Sequence, residues 1–86
     1  MEKREGKMDS RDLVSYRFKT EKGKTFFFDL KTNENGRFLK ITESRPRMGE
    51  ENSYIRNFMT IPEDFLEEFV VNITNTVQYL KDNRED

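Results

Sequence analysis

Apolar and polar positions alternate from Leu13 to Glu21, with Val14, Tyr16 and Phe18 on one side and Ser15, Arg17 and Lys19 on the other. A period of two is that of a strand with one buried face. Lys22-Gly23 is a turn signal. A second strand is predicted over Lys24–Lys31, where Phe26, Phe28 and Leu30 share a face opposite Thr25, Phe27, Asp29 and Lys31. Asn33-Glu34-Asn35-Gly36 predicts a hairpin turn, because Asn and Gly tolerate positive φ. A third strand follows over Arg37–Glu43, with Leu39 and Ile41 on one side and Phe38, Lys40 and Thr42 on the other. Pro46 and Gly49 make 44–52 a loop. Ser53–Ile61 is a fourth strand, with Ile55, Met59 and Ile61 against Tyr54, Arg56 and Phe58.

After residue 61 the period changes. Phe65, Leu66, Phe69, Val70, Ile73, Val77 and Leu80 recur at three- and four-residue steps, which predicts an amphipathic helix. Thr60 and Glu63 have the spacing of a capping box, and Pro62 suits a first turn. The expected fold class is therefore α+β: a four-stranded antiparallel sheet followed by one C-terminal helix. Residues 1–11 are polar without a period and read as a flexible arm, 12–82 as the folded unit and 83–86 as a polar tail.

A sheet has two faces, and one helix covers only one. The side bearing Val14, Tyr16, Phe18, Phe26, Phe28, Leu30, Leu39 and Ile41 is expected beneath the helix. The open side then carries Arg17, Lys19, Phe27, Lys31, Phe38 and Lys40, joined by Tyr54, Arg56 and Phe58. Basic residues interleaved with aromatics make a platform for single-stranded nucleic acid: cations meet phosphates and rings stack on bases. Phe27 and Phe38 are equally explained as a dimer interface. For Arg17, Lys19, Lys31 and Lys40 the plain alternative to phosphate contact is a solvated strand face. Arg37 either forks onto a phosphate or base edge, or is a surface residue near Glu34.

Charge changes the picture by its distribution. The formal net charge of −1 argues against a polyanion, yet residues 1–61 hold 14 Lys/Arg against 10 Asp/Glu, a balance of +4, and residues 62–86 hold 2 against 7, a balance of −5. Glu63, Asp64, Glu67 and Glu68 fall where the helix dipole favours them, so the acidic excess belongs largely to the helix. The basic excess belongs to the sheet.

A length of 86 residues with 33% hydrophobic content leaves little to bury, and chains of this size commonly complete a core by oligomerising. Eight Phe argue against disorder. No Cys and no His rule out disulfides and Cys- or His-based catalysis and metal sites. No bilayer-length apolar run or secretory signal is visible, and a cysteine-free chain fits a cytoplasmic setting. Asp29 is the one carboxylate flanked by apolar strand residues, with Lys31 on its own face as a ready ion-pair partner. No paired catalytic carboxylates, phosphate loop or nucleophile elbow is present, so an enzyme is not expected, nor a cofactor or small-molecule substrate.

The run Phe26–Ser44, FFFDLKTNENGRFLKITES, resembles the PUR repeat of the Pur-alpha family of single-stranded DNA- and RNA-binding proteins. Asp29, Lys31, Asn33, Gly36, Arg37, Phe38, Leu39, Lys40, Ile41 and Glu43 fit that pattern. The resemblance implies two repeats intertwined into one domain. A chain with a single repeat is then expected as a homodimer, like short bacterial members. It also implies purine-rich single strands as partners, with contacts from a Lys, an Asn two residues on and an Arg two further, and with an aromatic wedge between bases. Lys31, Asn33 and Phe38 match three of these, while Asn35 stands where the third basic contact is expected and Arg37 follows two residues later. A regulator of transcription or translation is the expected role. A protein-interaction module using the aromatic face is the alternative.

Overall fold

A computed structural model describes residues 11–84. Four strands, β1 (Arg11–Lys19), β2 (Thr25–Asn33), β3 (Gly36–Pro46) and β4 (Tyr54–Pro62), form one antiparallel meander in the order β1-β2-β3-β4. A single 3-10 turn, Glu63–Phe65, leads into α1 (Leu66–Asp82). This is the α+β architecture that the change of period predicts. Residues 1–10, which make up most of the expected arm, lie outside the described residues. Arg11 itself belongs to β1 and pairs with Thr32.

The register keeps the two side-chain sets apart. Tyr16 pairs with Phe28 and Phe18 with Phe26, Phe28 with Ile41, and Ile41 with Met59. Residues directly opposite in a sheet point to the same face, so these rings and aliphatics form one continuous apolar face. Phe18 lies 5.3 Å from Phe26 and 6.0 Å from Phe28 between ring centroids. A register shift between Asp12 and Val14 lets Asp12 stand opposite Lys31 while Val14 stands opposite Leu30.

Several boundaries differ from the sequence expectation. β1 ends at Lys19 rather than Glu21, because Thr20 accepts from Gly23 and closes the turn. β3 runs to Pro46, three residues past its predicted end, since Ser44, Arg45 and Pro46 still find partners in Arg56, Ile55 and Tyr54. Pro46 is tolerated because β2 ends opposite Ser44, so beyond that point β3 is an edge on its β2 side. In the β2–β3 hairpin the positive φ of +123° falls at Gly36, and Asn35 keeps a negative one. The Asn33 side chain instead accepts from the Asn35 backbone N–H at 2.8 Å, an Asx turn. The capping box is not formed. Thr60 is inside β4 and pairs with Lys40, and neither helical start has a side-chain cap.

The larger correction concerns the helix. It does not cover the apolar face of its own sheet. No residue of α1 is buried, and its packing partner is the turn that precedes it. The only buried hydrophobic residue among those described is Ile61. Tyr16 is 69% exposed, Phe18 54% and Met59 54% on the sheet, and Val70, Ile73, Val77 and Leu80 are exposed on the helix. The Cα radius of gyration is 16.4 Å, against about 12 Å for a compact domain of this length. The molecule is only 16 Å thick in its shortest dimension, one layer rather than two. Two apolar faces, one on the sheet and one on the helix, are therefore left open among the described residues.

Candidate nucleic-acid interface

The opposite face of the sheet is built by the same parity. Arg17 stands opposite Phe27, Phe27 opposite Thr42, and Thr42 opposite Phe58. Lys31 stands opposite Phe38, Asp29 opposite Lys40, and Ser44 opposite Arg56. Every residue that the alternation assigned to the open side of β1, β2 and β3 lies there, as do Tyr54, Arg56 and Phe58 of β4.

Cations and rings on this face meet in pairs. The Arg17 guanidinium lies 5.8 Å from the Phe27 ring centroid, and the Lys40 ammonium 4.5 Å from that of Phe58. Such pairs hold a flexible cation over an apolar surface while leaving its outer side open to an anion. Arg17, Lys19, Thr25 and Phe27, with Phe18 from the apolar side, border a depression of about 410 Å³ at one end of the face. Asn33, Asn35, Gly36, Arg37, Phe38, Thr60 and Pro62 border another of about 340 Å³ at the other. From Phe27 to Asn33 along β2 is about 20 Å at the rise of an extended strand. Lys31 and Lys40 lie between.

Three of the candidate residues already have partners. Lys31 does not pair with Asp29, as its position on the same face suggested. Its ammonium is 2.5 Å from Asp12, and its side chain is 18% exposed. The register shift in β1 is what brings Asp12 there. Asn33 uses its carbonyl oxygen in the turn, which leaves the amide N–H groups as donors. Arg37 stands opposite Thr32, on the side of Leu39 and Ile41 rather than on the open side, and its guanidinium at the strand end forms a two-point ion pair with Glu63, Nε to Oε1 at 3.1 Å and Nη2 to Oε2 at 2.5 Å. The hydrogen bond from Arg37 holds the Glu63 carboxyl below the ordinary carboxylate range, and the bond to Glu63 raises Arg37. On the apolar face, the Lys24 ammonium 2.8 Å away likewise lowers Glu43.

The sequence pattern did not single out Glu63 or Asp12 as neighbours of the site. Glu63 is 26 positions from Arg37, and only the return of β4 alongside β3 brings them together. Asp12 had no signal either, because a bulge is not readable from alternation. Arg45 faces Ile55 on the apolar side, and Arg47 is bound to Ser53 and Glu50 in the loop, so neither joins the open face.

The described residues hold no helix long and apolar enough to cross a membrane. Nor do they hold a group of three or more Asp or Glu side chains placed to grip a metal. A search among curated proteins found no match. The family model described as PurA ssDNA and RNA-binding protein matches residues 2–83. That is almost the whole chain and includes every residue of the face just described. The chain belongs to the PurA family of single-stranded DNA- and RNA-binding proteins.

Proposed function

We propose that this protein is a cytoplasmic, homodimeric regulator of transcription or translation that binds purine-rich single strands across the open sheet face. The observation that carries the reading is the separation of the two faces. One is apolar and uncovered, and the other alternates cations with rings. Arg17, Lys19, Lys31 and Lys40 track phosphates, Arg37 stands at the rim held by Glu63, the Asn33 amide donates to a base, and Phe27 and Phe38 are the stacking surfaces.

The uncovered apolar surfaces support the dimer. At about 25 cal/mol per Å² of apolar area removed from water, leaving Tyr16, Phe18 and Met59 exposed forgoes a large share of the core available to so short a chain. A second copy supplies the cover if each helix lies on the other copy's sheet. The stripe Val70, Ile73, Val77 and Leu80 is exposed on α1 and suits that exchange. The nucleic-acid face stays open on both copies.

The test is fluorescence anisotropy with a labelled purine-rich single strand at several salt concentrations, against a pyrimidine strand and a duplex. The reading expects saturable binding, a preference for the purine strand, and a fall of log K with log salt of about −0.7 per phosphate neutralised. No binding at low salt would overturn it and leave the protein-interaction module as the better account. Light scattering on the same sample reports the dimer.

A further inference from the structure

Phosphate binding leaves one group on the open face unexplained. Asp29 sits in the middle of it, opposite Ser15 on β1 and Lys40 on β3, with Phe27 and Lys31 two residues away on the same side of β2. A carboxylate there repels the phosphates that its neighbours attract, so it opposes binding that depends on charge alone.

Among the described residues no neighbouring cation forms an ion pair with Asp29. Lys31 goes to Asp12, Lys40 lies over Phe58, and Arg17 lies over Phe27. What Asp29 does receive is a hydrogen bond from the Ser15 hydroxyl to Oδ1, at 2.5 Å. That bond uses one of about four acceptor positions on the carboxylate. It orients the group and leaves acceptor capacity facing the open side.

Acceptors held in a fixed orientation select for donors. Guanine is the base whose Watson–Crick edge offers two adjacent donors, N1–H and the N2 amino group, spaced to meet the two oxygens of one carboxylate. Adenine and cytosine place an acceptor nitrogen beside their single amino donor. Thymine and uracil flank their one N–H with carbonyls. A carboxylate is repelled by each of those acceptors. In a single strand this edge is free to be read.

We infer that Asp29 is a specificity-determining residue that accepts hydrogen bonds from N1–H and the N2 amino group of an unpaired guanine, with Ser15 as the positioning residue that fixes its carboxylate. The inference rests on the single-strand reading above and deepens it. The cations make binding strong for any strand, and Asp29 weakens it for every strand that cannot repay the carboxylate with two donors.

The test uses the full chain and three labelled single strands of equal length: one with isolated guanines, to avoid quadruplexes, one with deoxyinosine at those positions, and one with adenine there. Deoxyinosine keeps N1–H and lacks the N2 amino group. The wild-type protein is expected to bind the guanine strand roughly tenfold more tightly than the deoxyinosine strand, the scale of a lost bidentate contact. Asp29→Asn is expected to bind all three within about twofold of one another, with an unchanged thermal midpoint. Ser15→Ala is expected to narrow the gap without abolishing binding. Equal wild-type binding of guanine and deoxyinosine strands overturns the inference without any variant. So does an Asp29→Asn protein that tightens on every strand and keeps the gap, for then Asp29 only balances charge. Failure of the wild type to bind any strand is a different result: it overturns the single-strand reading, and this inference with it.

Discussion

Arg37 and Glu63 are joined by two parallel hydrogen bonds that tie the start of β3 to the turn from which α1 departs. Arg37 also borders the depression next to Phe38, so its guanidinium sits between the turn into α1 and the rim of the open sheet face. Both partners are about half exposed, at 54% and 47% of their side chains. A phosphate arriving at this edge therefore competes with Glu63 for the same fork of donors.

Glu63→Gln is expected to release that competition. Single-strand affinity should rise by about two- to threefold at low salt, and the salt slope should steepen by about 0.7 as one more cation meets phosphate. Anisotropy at three or more salt concentrations checks both. An unchanged slope would mean that Arg37 stays paired with residue 63 when a strand is bound.

The same pair gives a pH dependence with a defined sign. The folded protein lowers the Glu63 carboxyl through its bond from Arg37. A carboxyl lowered on folding stabilises the fold above its unfolded value, about pH 4.3 for Glu, and loses that contribution as pH falls through the lower folded value. Glu43, lowered by Lys24, acts in the same direction. Thermal midpoints are expected to fall on acidification below about pH 4.3. Glu63→Gln and Glu43→Gln should each flatten that fall. Exposure keeps each effect small.

Charging the helix stripe tests the exchange of helices. Ile73→Asp and Val77→Asp replace exposed apolar side chains that a monomer has no need to bury. In the proposed exchange of helices they place a carboxylate against the apolar sheet face of the other copy. Light scattering is expected to show monomer, and the concentration dependence of the thermal midpoint should disappear. If either variant stays dimeric at wild-type stability, the helix stripe is not the interface.

Truncation on the open face should separate stacking from charge. Phe38→Ala is expected to lose about 1–3 kcal/mol of binding with the salt slope unchanged. Lys40→Ala should lose affinity mainly through the slope, by about 0.7. Circular dichroism and thermal midpoints near wild type are expected for both, because neither residue is in the apolar face.

Asp29→Asn and the deoxyinosine comparison stand apart from these, since they read discrimination between bases rather than affinity.

The alternation of the strands and the step of the helix made the elements legible in the chain alone. Phe27, Lys31, Phe38 and Lys40 could be placed on one face because a strand's period is two and the hairpin at Gly36 fixes how β2 meets β3. The residues Phe26–Ser44 also carried the family pattern, and the match over residues 2–83 agrees with it. What the chain could not disclose depends on contacts without a local period. The bulge after Asp12 moves a carboxylate onto Lys31 and takes that lysine away from Asp29. The pairing of β4 with β3 delivers Glu63 to Arg37, where local spacing had suggested a cap. The helix followed the same logic. Its stripe requires an apolar cover, but amphipathicity states only that a face must be buried, not against which surface. The tertiary structure decided that this surface is not the chain's own sheet, because the turn at Glu63–Phe65 sends α1 away from it.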